Sequence, residues 1–160
     1  MIVFGDYEGP LKEAIHYMKF HGRKKLARRL GQLLSTLEIP SVEAIIPVPL
    51  SKKRLIQRGF NQSYLLSMPV AEKLTLPLLD DLLLKTRDTP PQSLLAREER
   101  LKNQKGSFKI NSKYKRIPPR VVLVDDVVTT GATVNECARI LKKEGVNEVY
   151  VLALARASTE

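Results

Sequence analysis

The sequence predicts an α/β domain built on a mostly parallel sheet flanked by helices on both faces. Three observations carry that reading: apolar runs at 42–48, 120–124 and 148–155, amphipathic helical spacing at 11–34, and a strand, loop, helix and strand in succession across 120–155. Strands buried on both faces read as unbroken apolar runs, and the succession is a βαβ unit. A length of 160 residues suits one domain over 1–160, able to bury roughly 70% of the surface its unfolded chain exposes.

The elements follow in order. Leu11, Ile15 and Met18, then Leu26, Leu30 and Leu33, sit at helical spacing with Gly22 between, which predicts one broken helix or two. Val42 to Val48 predicts a buried strand that opens into a loop near Pro49. Asn61 is a helix cap for a segment through Leu74 that Pro69 should kink or interrupt. Asp80 to Leu84 predicts a strand. Lys85 to Gly106 is polar and punctuated by Pro90 and Pro91, a flexible loop by expectation, and Ser107 to Ile110 returns as a strand. After a basic turn at Asn111 to Pro119, Arg120 to Val124 is a strand, Asp125 to Gly131 a loop and Ala132 to Lys143 a helix. Gly145 ends that helix, and Glu148 to Ala155 is the last strand.

Composition narrows the function classes. Lys and Arg number 27 against 17 Asp and Glu, a formal charge of +10, so anionic partners such as phosphate-rich ligands or nucleic acid are favoured over a merely solvated basic surface. One cysteine, Cys137, excludes an intrachain disulfide and a Cys-rich zinc site, and suits a reducing cytoplasm. No run of about 18 apolar residues and no leader pattern occurs, so no membrane role is expected.

The chemistry concentrates in Val-Val-Leu-Val-Asp-Asp-Val-Val-Thr-Thr-Gly-Ala-Thr, residues 121–133. A strand ends on two carboxylates, and a turn rich in hydroxyls then enters a helix. Such a turn offers backbone N–H groups and the positive end of a helix dipole to a phosphate. Gly131 admits close approach, and Thr129, Thr130 and Thr133 add donors without charge. The acids would repel that phosphate unless they face sugar hydroxyls or a cation, so a phosphorylated sugar satisfies both halves. The alternatives are acids that only cap a strand end, or the acid pair of a phosphoacceptor receiver domain, against which the phosphate cradle argues.

This segment resembles the motif by which type I phosphoribosyltransferases bind 5-phosphoribosyl-1-pyrophosphate (PRPP). The resemblance implies that Asp125 and Asp126 hold the ribose hydroxyls and that Val128, Thr129, Thr130, Gly131, Ala132 and Thr133 wrap the 5-phosphate. The run from Pro47 to Gln62, with Pro47, Pro49 and Arg58-Gly-Phe-Asn-Gln62, is similar to the signature of the ComF competence proteins, as are Lys85 to Asn103 and Leu11 to Phe20. By that likeness Ser51, Lys52, Lys53 and Arg54 are candidates for the pyrophosphate, with Arg58 and Asn61 behind them. Lys85 to Asn103 would be a loop closing over PRPP, with Lys85, Arg87, Gln92, Arg97 and Arg100 as its polar contributors. Lys85, Arg97, Arg100 and the acid pair then form the catalytic set.

What the resemblance implies is a Mg²⁺-dependent PRPP-binding protein that transfers phosphoribosyl groups and releases pyrophosphate. Mg²⁺ would be carried by PRPP, with no protein ligand assigned. Candidate partners are PRPP itself, single- or double-stranded DNA held weakly by charge, a competence helicase, and a second copy in a homodimer. The alternative is a non-catalytic adaptor in DNA uptake that senses PRPP; a third reading is a plain nucleic-acid-binding domain. ComF proteins usually carry a four-cysteine zinc module ahead of this region, so zinc is not expected here. His16 and His21 read as surface or partly buried residues and Cys137 as core.

Overall fold

In a computed structural model, which describes residues 1–88 and 103–157, four parallel strands form the central sheet in the order β1-β6-β5-β2. They are β1 (Ile2–Asp6), β2 (Ala44–Pro47), β5 (Arg120–Val128) and β6 (Glu148–Arg156). A separate antiparallel pair joins β3 (Leu83–Lys85) to β4 (Phe108–Ile110). The helices are α1 (Gly9–Phe20), α2 (Lys24–Ser35), α3 (Lys52–Arg58), α4 (Gln62–Leu74) and α5 (Ala132–Lys143).

The sheet separates two apolar layers, as alternation along a strand requires. Val122 and Val124 of β5, with Ile45, Leu152 and Leu154, pack against Ile15 and Met18 of α1, Leu30 and Leu34 of α2 and Leu66 of α4. Val121 and Leu123 point the other way, to Cys137 and Leu141 of α5 and to Leu82 and Phe108 at the antiparallel pair. Cys137 is fully buried; burial pushes its thiol well above the ordinary range, with Asp125 adding to the effect. His16 and His21 are exposed.

The helical stretch expected as one broken helix or two is two helices, with Gly22 between them at φ +61°. Other elements differ from the sequence expectation. Pro69 does not break α4, which runs through it to Leu74 and is capped as expected when Asn61 accepts from Ser63 N at 3.0 Å. The reason is packing: Pro69 and Leu66 are buried, and α2 crosses α4 at Gly31. A Cβ there would lie 2.6 Å from the Leu66 carbonyl oxygen and 3.0 Å from Pro69 Cδ. Gly31→Ala is therefore expected to cost about 1–3 kcal/mol by overpacking, which thermal denaturation would register as a melting point lower by about 5 °C.

The second difference is α3, inside what reads as a loop: Ser51 caps it by accepting from Arg54 N at 3.3 Å, and Gly59, at φ +79°, ends it. Phe60 is buried and anchors the exit. The third is β5, which runs through both acids to Val128. Beyond them it stays paired to β6, Asp125 with Ala153 and Val128 with Arg156, so the parallel ladder overrides the low strand preference of Asp. The strand expected at Asp80 to Leu84 is shifted to Leu83–Lys85, and β1 has no counterpart in the sequence reading. No helix among the described residues is long and apolar enough to cross a membrane.

Candidate functional site

In an open parallel sheet, ligands sit beyond the C-terminal ends of the strands. At that end β5 delivers Asp125 and Asp126, only 8% and 4% exposed. The Asp125 carboxylate accepts from its neighbour's backbone, Asp126 N to Oδ1 at 2.9 Å, and from Ser63 Oγ of α4 at 3.2 Å. Asp126 Oδ1 accepts from Val127 N at 2.9 Å. Its Oδ2 is buried with no aligned hydrogen-bond donor among the described residues, but Lys19 Nζ, from the last turn of α1, lies 2.5 Å away as an ion partner.

Two adjacent buried carboxyls cannot both ionise cheaply. Burial, and then the charge of Asp126, push Asp125 up to about 8. Burial also acts upward on Asp126, but the Lys19 ammonium outweighs it and holds this carboxyl below its ordinary range. Lys19 is held above its own ordinary value, because Asp126 outweighs the burial that would lower it. The two shifts run in opposite directions, so burial and Lys19 together favour a proton on Asp125 and a negative charge on Asp126.

Beside the acids is a hollow lined by Asp125, Val128, Thr129, Gly131, Ala132 and Thr133. Gly131 is the N-cap of α5 with φ +79° and, lacking a side chain, leaves the start of the helix without a side-chain cap. Backbone N–H groups at the start of a helix, at the positive end of its dipole, suit an anion. Thr130 turns its Oγ1 inward to accept from Ala132 N at 3.4 Å, so its hydroxyl shapes the turn.

Cations surround the acids. Arg58, half-buried, donates to Gln62 Oε1 at 2.6 Å and feels the charge of Asp126 and Arg54. Lys85 of β3 lies over the Phe108 ring at 5.3 Å. Its ammonium is pushed down by burial first and by Arg54 second, while Asp125 acts in the opposite sense. The structure thus gathers the acid pair, the turn at 128–133, Lys85, Arg54 and Arg58 at one end of the sheet. Ser51 is buried as the cap of α3, while Lys52 and Lys53 are exposed on that helix. Gln92, Arg97 and Arg100, the core of the expected closing loop, lie outside the described residues. Arg87 spans the ends of that segment, donating to the carbonyl oxygens of Asn103 at 3.2 Å and Lys105 at 2.7 Å.

Sequence reasoning missed Lys19 and Ser63. A signal for Lys19 existed: it follows Ile15 by four residues, which places a lysine on the apolar stripe of α1. Ser63 carried none, because only tertiary packing brings α4 over the end of β5.

The comparisons with known proteins fall on the same region. The model of the phosphoribosyl transferase domain matches residues 61–160. The chain is 38% identical to Competence protein F of Haemophilus influenzae over 98% of its own length and 72% of that protein's. It is 35% identical to the DNA utilization protein YhgH of Escherichia coli K12, over 98% of this chain and 71% of the other. Against Competence protein ComFC of Streptococcus pneumoniae the identity is 32%, over 94% and 65%. Among solved structures, the glutamine PRPP amidotransferase of B. subtilis, complexed with ADP and GMP, superposes with a TM-score of 0.53 at 22% identity. That match covers 78% of this chain but only 25% of the amidotransferase, and it shows the fold alone.

Proposed function

Since this chain belongs to the phosphoribosyl transferase domain family, and within it to the ComF competence proteins, we propose that it binds PRPP with Mg²⁺ and transfers its phosphoribosyl group. The observation that supports this most is the direct adjacency of the hollow at the start of α5 to the buried acid pair of β5. One half suits a phosphate and the other a sugar diol. In this reading the turn from Val128 to Thr133 takes the 5-phosphate, and Asp125 and Asp126 take the ribose hydroxyls. Lys85 and Arg54 meet the pyrophosphate, with Ser51, Lys52 and Lys53 behind them on α3.

No group of three or more His, Cys, Asp or Glu among the described residues could hold a metal ion. In this reading Mg²⁺ is carried on the oxygens of PRPP, where it would supply positive charge to the leaving pyrophosphate. The residues of this chain do the rest. They fix the sugar by its 5-phosphate and diol and place ammonium and guanidinium groups where negative charge grows as the C1–O bond breaks toward an oxocarbenium-like state.

Without Mg²⁺ the pyrophosphate keeps its full negative charge, so calorimetry should show PRPP affinity falling about 10-fold or more when EDTA is added. Equal affinity in both conditions removes the metal from the reading. Pyrophosphate release with a panel of amine and nucleobase acceptors then tests the transfer step. Release at background with every acceptor, beside intact PRPP binding, leaves a PRPP-sensing adaptor. That second reading is favoured by relatives named for competence and DNA utilization rather than for an acceptor. Contact with DNA would come from Lys and Arg on phosphate and weaken steeply with salt.

A further inference from the structure

We propose that Lys19 is a positioning residue of this site: by pairing with Asp126 it decides which of the two neighbouring carboxyls bears the negative charge, so that the pair meets a sugar diol as one acceptor and one donor. The inference rests on the reading of the acids as a PRPP diol site and adds to it a residue outside the phosphoribosyl motif.

The geometry is specific. Asp125 and Asp126 are adjacent, buried and within hydrogen-bonding reach of each other, so one proton can be shared between them. Left alone, such a pair has no fixed order of ionisation. Charged and titratable groups act on it from the neighbouring elements: Lys19 from α1, Arg58 from α3, Lys85 from β3 and Cys137 from α5, with the Ser63 hydroxyl from α4, while Arg54 of α3 acts on Arg58 and Lys85. Among the described residues only Lys19 stands at ion-pair distance, and it does so on Asp126 alone, at Oδ2, which has no aligned hydrogen-bond donor. Ser63 and the Asp126 backbone N–H both crowd Asp125 Oδ1, which leaves its other oxygen to carry the proton.

A diol hydroxyl both donates and accepts. An ionised Asp126 accepts from one hydroxyl while protonated Asp125 donates to the other. Two ionised carboxyls would place a second negative charge against a polyanionic ligand. The Lys19 ammonium also cancels the charge that remains, so the sugar subsite is near neutral before Mg-PRPP arrives.

The test has two readouts. Carboxyl ¹³C shifts in the ligand-free protein should show Asp126 ionised throughout the neutral range in wild type and Asp125 losing its proton at higher pH. In Lys19→Met the two titrations should draw together as Asp126 moves up by about one to three pH units. Calorimetry with Mg-PRPP should show Lys19→Met binding about 10- to 100-fold more weakly at neutral pH, and Lys19→Arg close to wild type. Wild-type affinity should also decline as Asp125 ionises on the alkaline side, a dependence that a purely structural ion pair would not impose. If wild type binds Mg-PRPP and Lys19→Met matches it in affinity and in order of ionisation, the inference falls while the PRPP reading stands. If wild type binds no PRPP, that reading falls and takes the inference with it. Should Lys19→Met not fold, the wild-type titration still decides: Asp125 ionising before Asp126 overturns the proposal.

Discussion

Gly131→Val is expected to abolish binding of both Mg-PRPP and inorganic phosphate, a loss of at least about 100-fold. Two effects add. Gly131 sits at φ +79°, in the left-handed region where a β-branched residue costs about 1–3 kcal/mol. A Cβ would also lie 3.3 Å from Asn135 Nδ2, and the branches beyond it would fill the hollow that Thr129, Ala132 and Thr133 line. Strain alone predicts a lower melting point with binding retained in the folded fraction, whereas filling the hollow predicts lost binding in folded protein. Gly131→Asn separates them, because Asn tolerates the left-handed conformation yet still projects into the cradle. Thermal denaturation should place it near wild type, with phosphate binding lost. Normal phosphate affinity in either folded variant would show that the anion sits elsewhere.

Asp126→Asn has the second large effect, and its sign depends on the ligand. The substitution removes the carboxylate that the Lys19 ammonium keeps ionised, so a charge-assisted hydrogen bond to the sugar is replaced by a neutral one. Mg-PRPP should bind about 10- to 100-fold more weakly, from a loss of about 1.5–3 kcal/mol. Inorganic pyrophosphate makes no use of a diol contact and meets one negative charge fewer, so its affinity should hold or rise. Calorimetric titration of one variant with both ligands gives the comparison. A parallel loss for both would mean that the acid supports the whole site rather than the sugar. Asp125→Asn should be milder toward PRPP, because Asn copies the neutral form that burial and Asp126 favour at Asp125.

Much of the architecture was legible. The βαβ unit could be read because three local signals agreed over one stretch: the apolar run of β5, the Gly131 turn and the α5 span closed by Gly145. The turn proposed to take the phosphate was equally readable, since a cradle made of backbone N–H groups and a helix start is local in sequence. Harder elements were those whose state is set by a neighbour. α4 continues through Pro69 because α2 packs on it at Gly31, and β5 continues through two acids because β6 pairs with it beyond Asp125. α3 was hidden in a basic run that reads as a loop until Ser51 and Gly59 are seen as its caps.

By itself, then, the sequence determined the fold class, the strand that leads into Asp125 and Asp126, and the turn that enters the helix at Ala132. It also identified the family, because these depend on spacings within a single segment. Only the tertiary structure decided how the acids are charged. Lys19 lies 107 positions from Asp126 along the chain, and Ser63 lies 62 from Asp125. No local pattern encodes such separations. The protonation of two buried carboxyls depends on burial and on charges within a few ångströms, and those exist only once α1 and α4 have packed over the end of β5.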